Sequence, residues 1–240
     1  MDLEYGQHYR ELYEKHWWWR ARERLILSTI RRILRDGNCG SILDIGCGDG
    51  LFFDRLTEFG DVEGIESDPT LVSKENSWKA RIHICSFDAR FQPNKQYSLI
   101  LMLDVLEHFS EPLPCLSRAL ELLNPRGVLV ITVPAFRCLW TVHDDLNRHF
   151  TRYTKRSFAE LTARAGMKIQ MSRYFFHWSF PVKFFIHVKE RFLHTNPRVP
   201  SIPPYLFNQA AYRLSAFEQK IFDTVALPFG TSLLIVGGKE

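Results

Sequence analysis

Short apolar runs alternate with amphipathic stretches along most of the chain. Five runs have the length and apolar content of buried strands: residues 42–45, 62–65, 82–85, 98–103 and 128–133. The segments between them are predicted to be helical: residues 51–59, 69–77 and 112–123. Because parallel strands need long crossover connections, which helices usually provide, the alternation predicts a parallel α/β sheet.

The pattern continues on both sides of this core. Residues 3–35 are predicted to form one leading helix, with apolar side chains at helical spacing in its second half. A helix over residues 154–165 ends at Gly166 and precedes a strand over residues 167–173, and a last strand is predicted over residues 232–236. The segment before this last strand, residues 174–228, is rich in aromatic and basic residues. A connection of about fifty residues usually has a role of its own.

Composition limits the classes of protein that fit. The 240 residues are 45% hydrophobic and 24% charged, as in ordinary soluble globular proteins, so we expect a single domain over residues 1–240. The net charge of +4 is small and the basic residues are dispersed, which makes nucleic acid an unlikely partner. The five cysteines are odd in number and contain no CxxC pair. They favour a reducing, cytoplasmic location over a disulfide framework or a cysteine zinc site.

A glycine-rich turn follows the first predicted strand. Its sequence is GxGxG over residues 46–50, and Asp44 comes two residues before it. A turn of this kind lets the backbone approach a nucleotide-like ligand closely. The acid would repel a pyrophosphate, whereas it suits the ammonium and sulfonium groups of S-adenosylmethionine. Glu66 and Asp88 follow the next two strands, where they are placed to accept hydrogen bonds from ribose hydroxyls and from an adenine amino group.

Five motifs in order, SILDIGCGDG, EGIESDP, FDAR, YSLILMLDVLEHF and NPRGVLVITVP, resemble those of class I S-adenosylmethionine-dependent methyltransferases over about residues 38–175. Within this class the chain resembles bacterial small-molecule and saccharide-pathway methyltransferases that have a DVLEHF segment. The resemblance implies an α/β, Rossmann-like sheet of seven mostly parallel strands with the last antiparallel, an N-terminal helix and a helical insertion before the last strand. It also implies S-adenosyl-L-methionine as cofactor and a set of cofactor-binding residues: Asp44, Gly46, Cys47, Gly48, Gly50, Glu66, Ser67, Asp88, Ala89, Leu103 and Asp104.

The same resemblance places residues 104–108 (DVLEH) beside the reacting methyl group. His108 is a candidate general base for a hydroxyl acceptor, because an imidazole ordinarily titrates near neutrality, and Glu107 is placed to orient it. The segment also resembles the ExxEH sequence of metal-assisted O-methyltransferases, in which a later histidine completes a Mg²⁺ site. Here Asp replaces the first Glu and shortens its reach, so no metal ligand is assigned. The predicted catalytic residues are Asp104, Glu107, His108 and His149.

Two further segments are expected to cover the site. The helix within residues 1–37 is predicted to act as a lid, and one of its arginines is available for the cofactor carboxylate. The aromatic and basic insertion, residues 174–228, is predicted to be a helical cap that closes a pocket or forms a dimer face. An alternative is peripheral contact with the inner face of an anionic membrane through residues 174–206.

These features together favour a small-molecule methyltransferase, directed to oxygen, with a saccharide, lipid-linked or quinone-like acceptor. Three alternatives remain open at this point: a metal-assisted RNA 2′-O-methyltransferase, an NAD-type oxidoreductase, and a non-catalytic protein that binds S-adenosylmethionine for a partner. The oligomeric state is not predicted.

Overall fold

Seven strands form one sheet in the computed structural model, which describes residues 3–34, 37–193, 200–222 and 225–239. The strands agree with the predicted positions; six of them are longer than predicted by one to six residues, and β3 is one residue shorter. Their bounds are β1 Gly40–Ile45, β2 Gly60–Glu66, β3 Ile82–Ile84, β4 Tyr97–Leu103, β5 Leu123–Pro134, β6 Met167–Phe175 and β7 Ser232–Lys239.

The strand order confirms the predicted fold class. The order is β3-β2-β1-β4-β5-β7-β6, and β7 runs antiparallel to both β5 and β6 while the other pairs are parallel. The order reverses between β1 and β4, because the chain first extends the sheet toward β3 and then returns to the other side of β1. In open α/β sheets a crevice for ligands lies beyond the carboxyl ends of the strands at this reversal.

Eight helices of more than three residues occur in the described ranges. Their bounds are α1 Leu3–Lys15, α2 Trp17–Ile33, α3 Phe53–Leu56, α4 Pro112–Leu122, α5 Val142–Leu146, α6 Lys155–Ala165, α7 Ser179–Phe192 and α8 Tyr205–Ile221. None of the helices in these ranges is long and apolar enough to cross a membrane.

Three helix predictions were wrong in extent. The leading helix is broken at His16, which caps α2 by accepting a hydrogen bond from Trp18 N. Residues 51–59 contain only the single turn of α3. Residues 69–77 contain only a 3-10 turn, because Asp49 on the glycine loop accepts hydrogen bonds from Ser73 N and the Asn76 side chain. These contacts replace the backbone bonds that would continue a helix.

Both faces of the sheet are covered by apolar packing. On one face, α4 and α6 pack against β4 and β5 around the buried side chains of Leu116, Leu120 and Phe158. On the other face, α2 and α3 pack through Leu25, Ile30 and others against the same sheet. The covered faces leave the carboxyl ends of the strands as the open side, and α7 and α8 lie beside that side.

Candidate functional site

A large cavity opens at the carboxyl ends of β1, β2, β4 and β5. Its volume is about 1400 Å³, which exceeds the range of about 300–1000 Å³ that is usual for a small-ligand pocket. Residues of α2 and α7 close two of its sides, including Arg22 from α2 and Lys183 from α7. The cavity therefore has room for two ligands side by side.

The glycine loop has the backbone geometry expected for close approach of a ligand. Gly46, Gly48 and Gly50 all have positive φ, of 73°, 56° and 64°. A Cβ on Gly46 would lie 2.7 Å from a methyl carbon of Val105, so only glycine fits there without a shift of the neighbouring loop. Tyr9 of α1 lies over this loop, 3.9 Å from the position of a Cβ on Gly48.

Glu66 ends β2 and its buried carboxylate lies between the glycine loop and the cavity. Oε2 accepts a hydrogen bond from Gly48 N at 2.9 Å, and Oε1 accepts one from Asp68 N at 2.8 Å. Each carboxylate oxygen has a second lone pair, and Glu66 lines the cavity. Its carboxylate can therefore accept further hydrogen bonds from bound hydroxyl groups.

Asp44 is buried at the end of β1. Burial raises the pKa of this carboxyl to about 7, with Arg22 opposing the rise and Glu66 adding to it. A cation bound nearby would stabilise the ionised form. The buried acid fits a cofactor that carries an ammonium and a sulfonium group, and the glycine turn allows the backbone to approach that cofactor closely.

The structure brings together only some of the predicted cofactor residues. Asp88 lies in the cavity wall, where its carboxylate pairs with Arg90 at 2.6 Å, and the hydrogen bond from Arg90 lowers the pKa of Asp88 to about 2. The predicted residues that line the cavity are Gly46, Glu66, Ser67, Asp88, Leu103 and Asp104. The predicted residues that do not line it are Asp44, Cys47, Gly48, Gly50 and Ala89.

Arg22 and Asp104 form an ion pair across the cavity floor. The Nη2 to Oδ2 distance is 2.5 Å, and Arg22 also donates to Thr132 Oγ1 at 3.3 Å. Asp104 adopts a left-handed backbone, with φ of 57°, a conformation that is strained for a residue other than glycine and is common at functional sites. Arg22 Nε is buried and has no hydrogen-bond partner in the described ranges.

Three predicted catalytic residues meet at one point of the cavity. Glu107 and His108 lie on the 3-10 turn Leu106–His108 after β4, and His149 follows α5. One donor atom from each lies within 4.8 Å of the others, and the two imidazole centroids are 4.7 Å apart. Asp104, the fourth predicted catalytic residue, lines the same cavity.

Glu107 is buried, and neither carboxylate oxygen has a hydrogen-bond partner among the residues that the structure describes. Burial, together with the charge of Asp104, raises the pKa of this carboxyl well above its usual range. A buried polar group without a partner costs about 1–3 kcal/mol. A buried carboxylate without partners beside a cavity is explained by a catalytic role or by a bound ion or water.

His149 is held by a second group that sequence reasoning did not assign. Its Nδ1 lies 2.9 Å from Asp144 Oδ1, and Arg152 donates to both oxygens of Asp144 at 2.9 and 3.0 Å. Burial alone would raise the pKa of Asp144, but His149 and Arg152 together hold it well below its usual range. An ionised Asp144 therefore fixes the proton of His149 on Nδ1 and leaves Nε2 as an acceptor.

His108 differs from its sequence-based description. It faces the cavity solvent, and partial desolvation by the cavity walls together with His149 lowers its pKa. His108 is therefore a weaker base than an ordinary histidine.

Lys183 was also missed by the sequence reasoning. It lines the cavity, where burial and the charge of Arg152 lower its pKa to about 8.

A family model described as a methyltransferase domain matches residues 18–171. The chain belongs to this family. The match runs from α2 into β6 and contains every predicted cofactor and catalytic residue. It confirms the prediction of a class I S-adenosylmethionine-dependent methyltransferase, with S-adenosylmethionine as cofactor, over an NAD-type oxidoreductase.

Curated relatives match part of the chain. A ubiquinone biosynthesis O-methyltransferase of Azorhizobium caulinodans is 29% identical over 142 residues, which are 52% of this chain and 56% of that protein. The protein of the same name from Rhodopseudomonas palustris (strain HaA2) is 28% identical over 96 residues, or 38% of each chain. The chain thus spans about two fifths to just over half the length of these relatives.

Solved structures share the fold at low sequence identity. An S-adenosylmethionine-dependent methyltransferase from Archaeoglobus fulgidus has a TM-score of 0.57 and 15% identity, with 90% of this chain and 94% of that chain covered. A TehB-like methyltransferase from Corynebacterium glutamicum has a TM-score of 0.56 and 18% identity, with 99% and 97% covered. At these identities the comparison establishes the fold, including the antiparallel last strand.

Proposed function

We propose that this protein transfers a methyl group from S-adenosylmethionine to a hydroxyl oxygen of a small-molecule acceptor. The observation that carries the proposal is the meeting of Glu107, His108 and His149 in the cavity that Gly46 and Glu66 also line. S-adenosylmethionine supplies an electrophilic methyl group on a sulfonium. The chain's own residues must bind and orient the acceptor, exclude water and remove the hydroxyl proton.

The Asp144–His149 pair is the proposed base. His149 uses Nδ1 for Asp144, and one nitrogen of its ring lies within 4.8 Å of donor atoms of Glu107 and His108; Nε2 is the proposed proton acceptor. As in a hydrolase triad, the buried carboxylate orients the imidazole and stabilises it once it has accepted a proton. Arg152 fixes Asp144 from the opposite side and is itself held by the Ala135 carbonyl. His108 then serves to position the acceptor rather than to deprotonate it.

The acceptor is proposed to carry an apolar part. The side of the cavity formed by α7 includes Trp178, Val182 and Ile186 alongside Lys183. Such a wall suits a quinone-like or lipid-linked phenol better than a saccharide, because a sugar ring would leave its hydroxyls facing apolar side chains. The names of the ubiquinone biosynthesis relatives support the same class.

A test is the formation of S-adenosylhomocysteine by purified protein given phenolic, catecholic and saccharide acceptors. We expect turnover with a phenolic or catecholic acceptor, reduced at least about 100-fold by His149→Ala, because general base catalysis contributes about 10² to 10⁴ in rate. The control is His83→Ala, a histidine on the opposite part of the sheet that pairs with Glu63. Unchanged turnover in His149→Ala would show that His149 is not the general base.

A metal-assisted variant of this reaction is a second candidate, favoured by the unpartnered oxygens of Glu107. Glu107, His108 and His149 would hold a divalent cation, and Asp144 behind His149 is the outer partner that metal-binding histidines usually have. A cation would compensate the buried carboxylate and lower the pKa of an acceptor hydroxyl. The donor set of one carboxylate and two imidazoles fits a first-row divalent ion.

Calorimetric titration of chelator-treated protein with Mn²⁺ distinguishes the two candidates without an acceptor. The metal-assisted route predicts binding of one Mn²⁺ that is lost in Glu107→Gln and retained in Glu111→Gln, an exposed acid four residues away. Equal binding by wild type and Glu107→Gln would exclude it and leave the metal-free route.

A further inference from the structure

Helix α8 is amphipathic, but it buries polar residues and exposes apolar ones. Its buried positions are polar, Asn208, Ser215 and Glu218, and each bonds to the protein body. Asn208 bridges Lys15 O and Trp17 N, and Ser215 accepts from Trp178 Nε1. Polar anchoring of this kind leaves the apolar side chains on the outside. The outward set is Tyr205, Leu206, Phe207, Leu214, Phe217 and Ile221.

Helix α7 has a similar outer face. Its inner side lines the cavity through Ser179 and Lys183, whereas Phe185 and Phe192 are 71% and 77% exposed. The five most exposed large apolar side chains in the described ranges all belong to α7 and α8. Exposed apolar surface of this extent marks an interaction site in a soluble domain.

The exposed charges of the two helices have one sign. Lys189, Arg191, Arg213 and Lys220 are exposed, whereas both acidic residues bond inward. Glu190 accepts a hydrogen bond from Val142 N, and Glu218 accepts from His177 N and Trp178 N. The outer face therefore combines aromatic and aliphatic side chains with cations only.

We propose that the outer faces of α7 and α8 bind an anionic lipid bilayer surface. Apolar side chains that enter the interface and cations that meet anionic headgroups are the two contributions that hold interfacial helices on membranes. A second copy of this chain fits less well. Two-fold pairing would set the same basic residues near one another, with no acid on the face to neutralise them.

The bilayer surface gives the lipid-like acceptor a route to the site, and this part of the inference rests on the proposed function. The inner face of α7 lines the cavity beside Val182 and Ile186, which are themselves more than one third exposed. An apolar acceptor can thus pass between the bilayer and the cavity along one helix without crossing water. The binding itself requires no methyl transfer.

Flotation with vesicles tests the binding. Vesicles of phosphatidylcholine alone and of phosphatidylcholine with phosphatidylglycerol are mixed with the full chain, and bound protein is measured. We expect binding to the anionic vesicles, weakened about 25-fold in the double variant Arg191→Gln, Arg213→Gln, because each cation near an anionic surface contributes about fivefold. The matched control is Arg126→Gln, Arg164→Gln, which changes net charge equally at exposed positions on other elements.

The apolar contribution is tested with Phe185→Ser, Phe217→Ser, for which we expect at least about a tenfold loss. Ile84→Ser, an exposed apolar residue on the opposite edge strand, is the control. Absence of wild-type binding to anionic vesicles, or equal losses in the control variants, would overturn the proposal. A dimer in light scattering that these two substitutions dissociate, without vesicle binding, would assign the face to a second copy. Methyl transfer to a water-soluble phenol should be unaffected in all of these variants. A failure of membrane binding is therefore distinguishable from a failure of the proposed function.

Discussion

Replacement of Glu107 by methionine should make the protein more stable. The substitution keeps the length of an unbranched side chain and removes two buried oxygens that have no hydrogen-bond partner in the described ranges. Since each such atom costs about 1–3 kcal/mol, a net gain of about 2 kcal/mol is a conservative expectation after repacking. For a chain of this length 1 kcal/mol corresponds to about 2–4 °C, so the melting midpoint should rise by about 4–8 °C.

The gain should depend on pH in a defined direction. The pKa of Glu107 is higher in the folded protein than the value of 4.5 for a free side chain, so folding takes up a proton above that pH. The contribution of Glu107 to wild-type stability therefore falls as pH rises above about 4.5, whereas the methionine variant lacks this loss. Thermal melts of chelator-treated protein at pH 4.5 and pH 7 should give a larger difference at pH 7. Glu111→Gln should change the free energy of unfolding by no more than about 0.5 kcal/mol at either pH. A lower midpoint for Glu107→Met at pH 7 would refute the reasoning.

Three further predictions follow from other parts of the site. Affinity for S-adenosylmethionine, measured by calorimetry, should rise as pH increases through about 7, the pKa of Asp44, because only the ionised acid attracts the cofactor's cations. Asp44→Asn should abolish this pH dependence, and a dependence retained in the variant would show that Asp44 is not the titrating group. Gly46→Ala should weaken cofactor binding at least about tenfold, because its Cβ would meet Val105 and its φ is positive. The control, Gly166→Ala, has a similar φ but no atom within 4 Å, so it should lower only the free energy of unfolding, by about 1–2 kcal/mol. Equal cofactor affinities in the two variants would contradict the close contact of Gly46 with Val105. Asp144→Asn should lower the free energy of unfolding by about 3–5 kcal/mol, because it leaves the buried Arg152 guanidinium without its counter-charge; an unchanged midpoint in urea would show that the pair contributes nothing.

Local sequence signals were sufficient for the sheet and the cofactor loop. The strands are short apolar runs, and glycines 46, 48 and 50 sit where a turn with positive φ is required. The acids Asp44 and Glu66 lie at the carboxyl ends of their strands. These features depend on neighbours in sequence, so the pattern alone could place them.

Features that depend on distant partners could not be predicted in this way. Residues 69–77 have a helical pattern, but Asp49 binds Ser73 and Asn76 and draws the segment into turns. The pairing of Arg22 with Asp104 joins residues 82 positions apart, so no local signal reveals it. The outward apolar face of α8 was hidden for the same reason.

The most direct test of the account is acceptor-dependent formation of S-adenosylhomocysteine by the purified chain. We expect S-adenosylmethionine to bind to wild type and to His149→Ala with similar affinity, and a phenolic or catecholic acceptor to be methylated on oxygen by wild type at a rate at least about 100-fold above that of His149→Ala. Cofactor binding without product from any phenolic, catecholic or saccharide acceptor would contradict the account and favour a non-catalytic binding protein.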